Sequence, residues 1–218
     1  MKLSIIPTLV LRSVMIALLF AAPHASFAAD NSEAVIKQLI DQTSTELDKL
    51  YKAKRIGDRP ALEQMIRTEI VPHIDQQRLT QRVFRQYWQQ IVKANKQDDA
   101  TRRVIDSLVR TYAVALSSYS GDTLSVISVK EDGDKSQART RIRRPNSQII
   151  QVDFSLSNSG GDWLINDMAV DGIVVSLTLF NAIKPVFEQQ GLDAALNAVS
   201  EADAAPPVKD GSAKPAPQ

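Results

Sequence analysis

The chain has 218 residues, with 26 basic and 25 acidic side chains and no cysteine. This length is enough for one domain with a substantial hydrophobic core. The lack of cysteine excludes disulfides, thiol chemistry and thiolate metal sites, and the near-neutral charge lacks the broad basic surface that nucleic-acid binding needs.

The first segment is typical of a secretory signal peptide. Lys2 and Arg12 supply positive charge, residues 14–22 form a short apolar run, and residues 26–28 read small-x-small. We predict cleavage after Ala28; an uncleaved anchor is disfavoured because the apolar run is short for a membrane span. Cleavage leaves 24 of the 26 basic residues against 25 acidic ones. Without a cysteine to acylate, the product should be soluble beyond the inner membrane.

Apolar residues recur at three- and four-residue spacing between residues 35 and 119, which predicts four amphipathic helices. The first begins at a cap formed by Asn31 or Ser32 and ends before Gly57. The second ends before Pro72, and the third follows it. The fourth is long and runs from the acidic pair at 98–99 to the Ser-Gly at 120–121.

Aromatic side chains are concentrated in the third and fourth predicted helices. Phe84, Tyr87 and Trp88 belong to an apolar stripe that most often fills a plain core, with the lining of a cavity as the alternative. Tyr112 and Tyr119 lie on the buried side of the fourth helix. Each of their hydroxyls needs a polar partner when buried.

From residue 123 the apolar period changes to two, which is typical of half-buried strands. Residues 124–129 and 138–143 predict two strands, and residues 150–156 predict a third with Asp153 on its polar side. Two glycines at 160–161 then turn the chain into a fourth strand through residue 170. Arg139, Arg141 and Arg143 face away from the apolar row, where a solvated outer face is favoured over a docking patch.

The remaining chain is apolar over residues 173–180, helical around residues 182–190 and helical again over residues 192–199. Residues 201–218 contain four prolines and several alanines and should form a disordered tail. The prediction is therefore a signal peptide (1–28), one α+β domain (29–200) and the tail. In this domain, several amphipathic helices pack over a curved antiparallel meander of about four strands and enclose an apolar pocket.

The mature chain offers little for catalysis. His73 is its one histidine, and neither a Gly-x-Ser-x-Gly elbow nor a glycine-rich phosphate loop occurs. We therefore predict no enzyme, no metal site and no cofactor. One alternative is a cone-shaped α+β enzyme with Asp153 or Asp167 turned inward as a base. Another is a periplasmic structural adaptor with a filled core.

A series of different short motifs lies in order along residues 31–200. They are VPHID at 71–75, YW at 87–88, LVRTYAVAL at 108–116, YSG at 119–121, VDF at 152–154, GDW at 161–163, DM at 167–168, DGI at 171–173 and GLD at 191–193. With these spacings the chain resembles the MlaC family of periplasmic phospholipid-binding proteins, also called the toluene-tolerance family. The segment after Gly172 departs from the family, because it lacks a tyrosine and an arginine that commonly follow there.

The resemblance implies a periplasmic carrier that supports outer-membrane lipid asymmetry. Its partners would be phospholipid, an outer-membrane lipoprotein–porin complex and the periplasmic lipid-binding subunit of an inner-membrane ABC transporter. Bound phospholipid would be the cargo, and two acyl chains would need full shelter from water, at about 0.8 kcal/mol per methylene.

The predicted cavity lining combines residues from the helices and the sheet. The alternative is that about half of these residues fill a dry core behind the pocket. The predicted residues are Phe84, Tyr87, Trp88, Tyr112, Leu116, Tyr119, Ile142, Ile150, Val152, Phe154, Ile165, Met168, Val174 and Leu177.

Overall fold

Seven α-helices and five β-strands make up residues 31–201, the part of the chain that the computed structural model describes. The predicted signal peptide and the tail beyond residue 201 lie outside these residues. The helices are α1 (Ser32–Lys52), α2 (Arg59–Met65), α3 (Gln76–Phe84), α4 (Trp88–Lys93), α5 (Gln97–Leu116), α6 (Val175–Gln190) and α7 (Leu192–Glu201). The strands are β1 (Thr123–Asp132), β2 (Lys135–Arg143), β3 (Ile149–Ser159), β4 (Asp162–Val170) and β5 (Ile173–Val174).

Side-chain caps start the first three helices, and the cap at Asn31 is one that the sequence predicts. The side chains of Asn31, Asp58 and Asp75 accept hydrogen bonds from backbone N–H groups in the first turns of α1, α2 and α3. Such caps satisfy donors that have no partner within the helix. A π-helical turn (Ile66–Ile70) and a 3₁₀ turn (Val71–His73) then link α2 to α3.

The third predicted helix is interrupted, contrary to its regular apolar spacing. Arg85 ends α3 with φ 46° and ψ −120°, and the 3₁₀ turn Arg85–Tyr87 precedes α4. Positive φ is disfavoured for a residue with a Cβ atom. The apolar spacing does not reveal this break, because the residues on both sides of it face the same core.

The strands form one sheet in the order β1-β2-β3-β4-β5, and every neighbouring pair is antiparallel. The α+β class and the predicted meander are therefore confirmed, with the two-residue β5 as an addition. Helix α6 begins at Val175, earlier than predicted, so that Pro185 lies inside it. Proline has no N–H, which deprives the carbonyl four residues earlier of its helical partner.

The described residues form two main cores. The larger joins helices to one another and contains Val83, Phe84, Ile91, Val104 and Leu179. In the smaller core, one face of α1 packs on the sheet: Ile36, Leu39 and Ile40 contact Ala138, Leu156, Trp163 and Ile165. We call the sheet face under α1 the inner face. Over the described residues, no helix is long and apolar enough to cross a membrane.

Candidate functional site

Helix α1 covers one end of the inner face of the sheet, and the other end is less covered. Ala138 and Leu156 are buried under α1. Further along the same strands, Ile142 pairs with Ile150, and Val152 pairs with Val170. These four side chains are half-buried and belong to none of the three apolar clusters of the described chain. We call Ile142, Ile150, Val152 and Val170 the apolar band.

Two helices contribute apolar side chains that are also incompletely buried. Tyr112 and Leu116 in the second half of α5 are half-buried. Val174, which directly precedes α6, and Leu177 in the first turn of α6 are 36% and 38% exposed. Within residues 31–201, α5 packs closely on α2, α3 and α7, and its contact with any strand is less extensive. This arrangement leaves α5 and the sheet without a shared core of their own.

The loop after α5 contacts the turn between β2 and β3, next to the apolar band. Arg144 follows Ile142 by two residues and donates a hydrogen bond to the Ser118 hydroxyl at 3.0 Å. Its Nε lies 3.8 Å from the Asp122 carboxylate. The band thus lies at the end of the sheet where these two connecting segments meet.

The structure distributes the predicted lining residues among several environments. Phe84 and Tyr119 are buried in the larger core, and Trp88, Tyr112, Leu116 and Met168 pack at its edge. Ile165 is buried in the α1–sheet core, with Phe154 at its edge. Ile142, Ile150 and Val152 come together in the apolar band. Whether these residues line a lipid cavity stays a prediction.

Tyr87 belongs to an aromatic cluster between the α3–α4 junction and α6. Its ring stacks on Phe187 with a centroid distance of 4.0 Å, and its hydroxyl donates a hydrogen bond to Glu188 at 2.9 Å. Burial and this hydrogen bond raise the pKa of Tyr87. Hydrogen bonds from Lys184 and Tyr87 lower the pKa of Glu188. The cluster therefore fastens α6 to the preceding helices.

Tyr119 finds the polar partner that its burial requires. Its hydroxyl donates a hydrogen bond to the Asp48 carboxylate on α1. The ring of Tyr51 contacts the ring of Tyr119 edge-on, with a centroid distance of 5.8 Å. Burial, with the neighbouring Asp48 carboxylate, raises the pKa of Tyr119 strongly. Tyr119 lies in the loop after α5, because this helix ends at Leu116, earlier than predicted, and the contact connects that loop to α1.

The two acidic residues of the enzyme alternative both have other partners. Asp153 lies on the outer face, where Arg139 Nε is 3.4 Å from its carboxylate. Asp167 is buried, 5% exposed, and accepts hydrogen bonds from the backbone N–H groups of Met168 and Ser176 and from the Ser176 hydroxyl. Neither carboxylate is therefore placed as a free base facing the apolar band.

His73 lies close to Glu69 at the turn that precedes α3. His73 is half-buried, and burial lowers its pKa while Glu69 partly opposes that shift. In the portion of the chain that the structure describes, no group of three His, Cys, Asp or Glu residues could hold a metal ion.

An open cleft of about 360 Å³ lies elsewhere, is lined mostly by charged and polar residues, and shares no residue with the predicted lining. Two of its lining residues, Arg67 and Asp106, form an ion pair with a nitrogen–oxygen distance of 2.8 Å. The cleft is lined by Arg67, Val71, Gln76, Asp98, Thr101, Arg102, Ile105 and Asp106. Its charged lining does not suit acyl chains.

Val170 is the member of the apolar band that the predicted lining omits. It follows Met168 by two residues and pairs with Val152. The alternation along the strand that places Met168 on the inner face places Val170 there as well, so the sequence could have identified Val170.

The fold and the candidate site together define an α+β protein with helices on one face of an antiparallel sheet and an apolar band left at one end. Residues 37–201 match the family model described as MlaC protein. The chain belongs to the MlaC family.

Relatives and a solved structure agree with this assignment. Toluene tolerance protein ttg2D of Pseudomonas putida is 20% identical over 185 residues, covering 84% of this chain and 86% of the relative. The intermembrane phospholipid transport system binding protein MlaC of Haemophilus influenzae is 19% identical over 192 residues, covering 86% and 89%. A phospholipid-binding protein from Ralstonia solanacearum, solved with a phospholipid, shares the fold with a TM-score of 0.70 at 21% identity, covering 79% of this chain and 96% of its own.

Proposed function

We propose that this protein is a soluble periplasmic phospholipid carrier whose acyl-chain site includes the apolar band. The observation that carries the proposal is the band itself: Ile142, Ile150, Val152 and Val170 are paired in register on the inner face and have no place in a core cluster. Half-buried apolar surface of this kind gains free energy when an apolar ligand covers it, at about 25 cal/mol per Å².

The family supports the same function. The Haemophilus influenzae relative is named for intermembrane phospholipid transport, and the Ralstonia solanacearum protein was solved with a phospholipid. We propose that this chain moves phospholipid between an outer-membrane lipoprotein–porin complex and the periplasmic lipid-binding subunit of an inner-membrane ABC transporter. Signal-peptide cleavage after Ala28 would place it in the periplasm.

A carrier of this kind needs no catalytic group. Transfer requires only that the acyl chains be sheltered from water while the headgroup stays solvated. The partners of Asp153 and Asp167 agree with this, because an enzyme would need one carboxylate free to accept a proton from a substrate. An adaptor with a filled core remains the competing function, and it predicts no bound lipid.

Mass spectrometry of an organic extract tests the proposal directly. Gently purified, signal-cleaved protein should release phospholipid in a stoichiometric amount. An extract without lipid would contradict the carrier and favour the adaptor.

A pair of variants then tests the apolar band as the site. Val152→Lys places a charge on the inner face, and Gln151→Lys places the same charge on the outer face of the same strand. We expect Val152→Lys to lose its lipid and Gln151→Lys to keep it, because burial of an unpaired charge among acyl chains is costly. Circular dichroism should show both variants folded. A folded Val152→Lys protein that still carries lipid would exclude the band as the cavity wall.

A further inference from the structure

The outer face of β1–β3 carries a row of three arginines, of which Arg139 and Arg143 are exposed and Arg141 is half-buried. Arg139, Arg141 and Arg143 alternate along β2 with Ala138, Thr140 and Ile142 of the inner face, so their side chains point away from α1. Lys130 on β1 pairs with Gln137 of β2 and lies on the same face. We call Lys130, Arg139, Arg141 and Arg143 the arginine face.

Two of these arginines have no carboxylate partner within residues 31–201. Among the described residues, no carboxylate lies within 4.0 Å of Arg141 or Arg143, and the pair of Arg139 with Asp153 is exposed. The other arginines of residues 31–201 each contact a carboxylate, a carbonyl or an aromatic ring. Within residues 31–201, the arginine face is therefore where guanidinium groups remain available to another molecule.

Exposed isoleucines flank the row. Ile127 lies at the β-bulge of β1 and is 45% exposed. Ile149 is 46% exposed and pairs with Arg143 at the end of β2. The next pair along these strands is Ile142 with Ile150 of the apolar band, on the opposite face. The row thus runs toward the end of the sheet that holds the proposed cargo site.

We propose that the arginine face docks the carrier onto a lipid bilayer that presents anionic phospholipid headgroups. The guanidinium fork matches phosphate oxygens, and exposed isoleucines can enter the interfacial region of a bilayer. The purpose of this docking depends on the proposed function, but its test does not.

The size of the face favours a bilayer over an acidic protein. β2 has nine residues, so the face measures about 30 Å by 14 Å over three strands. That is about 400 Å², roughly half of the 800 Å² that each partner buries in a stable protein–protein interface. A flat electrostatic contact with a bilayer needs no such area, and it lets a carrier leave again.

Vesicle flotation with the mature chain tests this docking. Vesicles of phosphatidylcholine alone are compared with vesicles that also contain phosphatidylglycerol, each at low and high salt. We expect binding to the phosphatidylglycerol vesicles at low salt and its loss at high salt, because salt screens exposed charges. Absence of binding at low salt would overturn the proposal and leave an acidic protein surface as the occupant.

Charge reversal identifies the surface. Arg141→Glu should weaken vesicle affinity about 25-fold, since each charge near an anionic surface is worth about fivefold. Lys93→Glu on α4 makes the same charge change at an exposed position outside the sheet, and we expect less than about a threefold effect there because it lies away from the bilayer. Equal losses in the two variants would overturn the proposal.

Lipid extraction separates this result from the carrier function. Arg141→Glu should retain cargo lipid while losing vesicle binding. If the wild-type chain bound anionic vesicles through Arg141 but yielded no cargo, the carrier function would fail and the docking surface would stand. If Arg141→Glu lost cargo and vesicle binding together, the arginine face would not be a separate docking surface.

Discussion

The Asp167 carboxylate on β4 accepts hydrogen bonds from both the backbone N–H and the hydroxyl of Ser176, at 3.3 and 2.6 Å. Ser176 lies in the first turn of α6, and Val174, which precedes that helix, supplies no side-chain cap. A residue nine positions earlier in the chain therefore satisfies the helix start, with its negative charge at the positive end of the helix dipole. This contact holds the segment that contains Val174 and Leu177 against the sheet.

Asp167→Asn should destabilise the protein by about 1–3 kcal/mol, because the amide cannot accept the hydrogen bonds of the buried carboxylate in full. Asp153→Asn is the matched control on the outer face, where loss of an exposed ion pair should cost less than about 1 kcal/mol. Urea denaturation at neutral pH measures both changes. Equal costs would show that Asp167 does not act as the cap of α6.

At position 85, replacement of arginine by glycine is expected to leave the protein more stable than replacement by alanine. Arg85 has a φ of 46°, which is strained for any residue with a Cβ atom, and its guanidinium lies 5.0 Å from the Phe180 ring centre. Both variants lose the ring contact, but Arg85→Gly also relieves the strain. Arg85→Gly should therefore be about 1–2 kcal/mol more stable than Arg85→Ala, as measured by thermal or urea denaturation. The reverse order would mean that the backbone at Arg85 is not strained.

His73 should make the protein less stable in mild acid. Burial lowers its pKa below the ordinary value of 6.5, so the folded state disfavours the protonated ring. Its contribution is fully present above pH 6.5 and is lost as the pH falls below that value. The melting temperature of His73→Gln should vary less than that of the wild type between pH 7 and about 5.5, a window above the carboxylate pKa values. Identical pH dependence in the two proteins would contradict this role.

Tyr119 should produce a loss of stability at alkaline pH. Its pKa is raised above the ordinary value of 10.0 by burial and by Asp48, so the folded state keeps the hydroxyl protonated. The contribution is fully present below pH 10 and is lost as the pH rises further. Tyr119→Phe should cost about 0.5–1.5 kcal/mol at neutral pH and remove this alkaline dependence.

Tyr51→Phe is the control for Tyr119, since Tyr51 is 44% exposed and touches the same ring. It should leave the alkaline loss of stability in place. Removal of that loss by Tyr51→Phe would assign the effect to the wrong tyrosine.

Local sequence patterns predict much of this fold. The alternation over residues 150–156 places Val152 on the inner face and Asp153 on the outer face, and both assignments are confirmed. Asn31 lies at the start of the first helix, where its short polar side chain accepts a backbone N–H group, as predicted. These predictions succeed because each depends on residues within one strand or one helical turn.

The candidate site was less predictable from the sequence. Apolar spacing separates buried side chains from solvated ones, but it does not say which partner buries them. Phe84 and Ile142 both satisfy the period of their element, yet Phe84 lies in the larger core and Ile142 in the apolar band. Only tertiary packing distinguishes these environments, because other helices bury Phe84 while α1 covers the end of the sheet away from Ile142.

The sequence by itself determined the order of helices and strands, the two faces of the sheet and the arginine row on β2, because side-chain period follows directly from backbone geometry. The tertiary structure decided the break at Arg85, the hydroxyl contact of Tyr119 with Asp48 and the capping of α6 by Asp167. Each of these depends on groups that are separated along the chain or on strain that the surrounding fold supports. Such features acquire their partners only when the elements pack together.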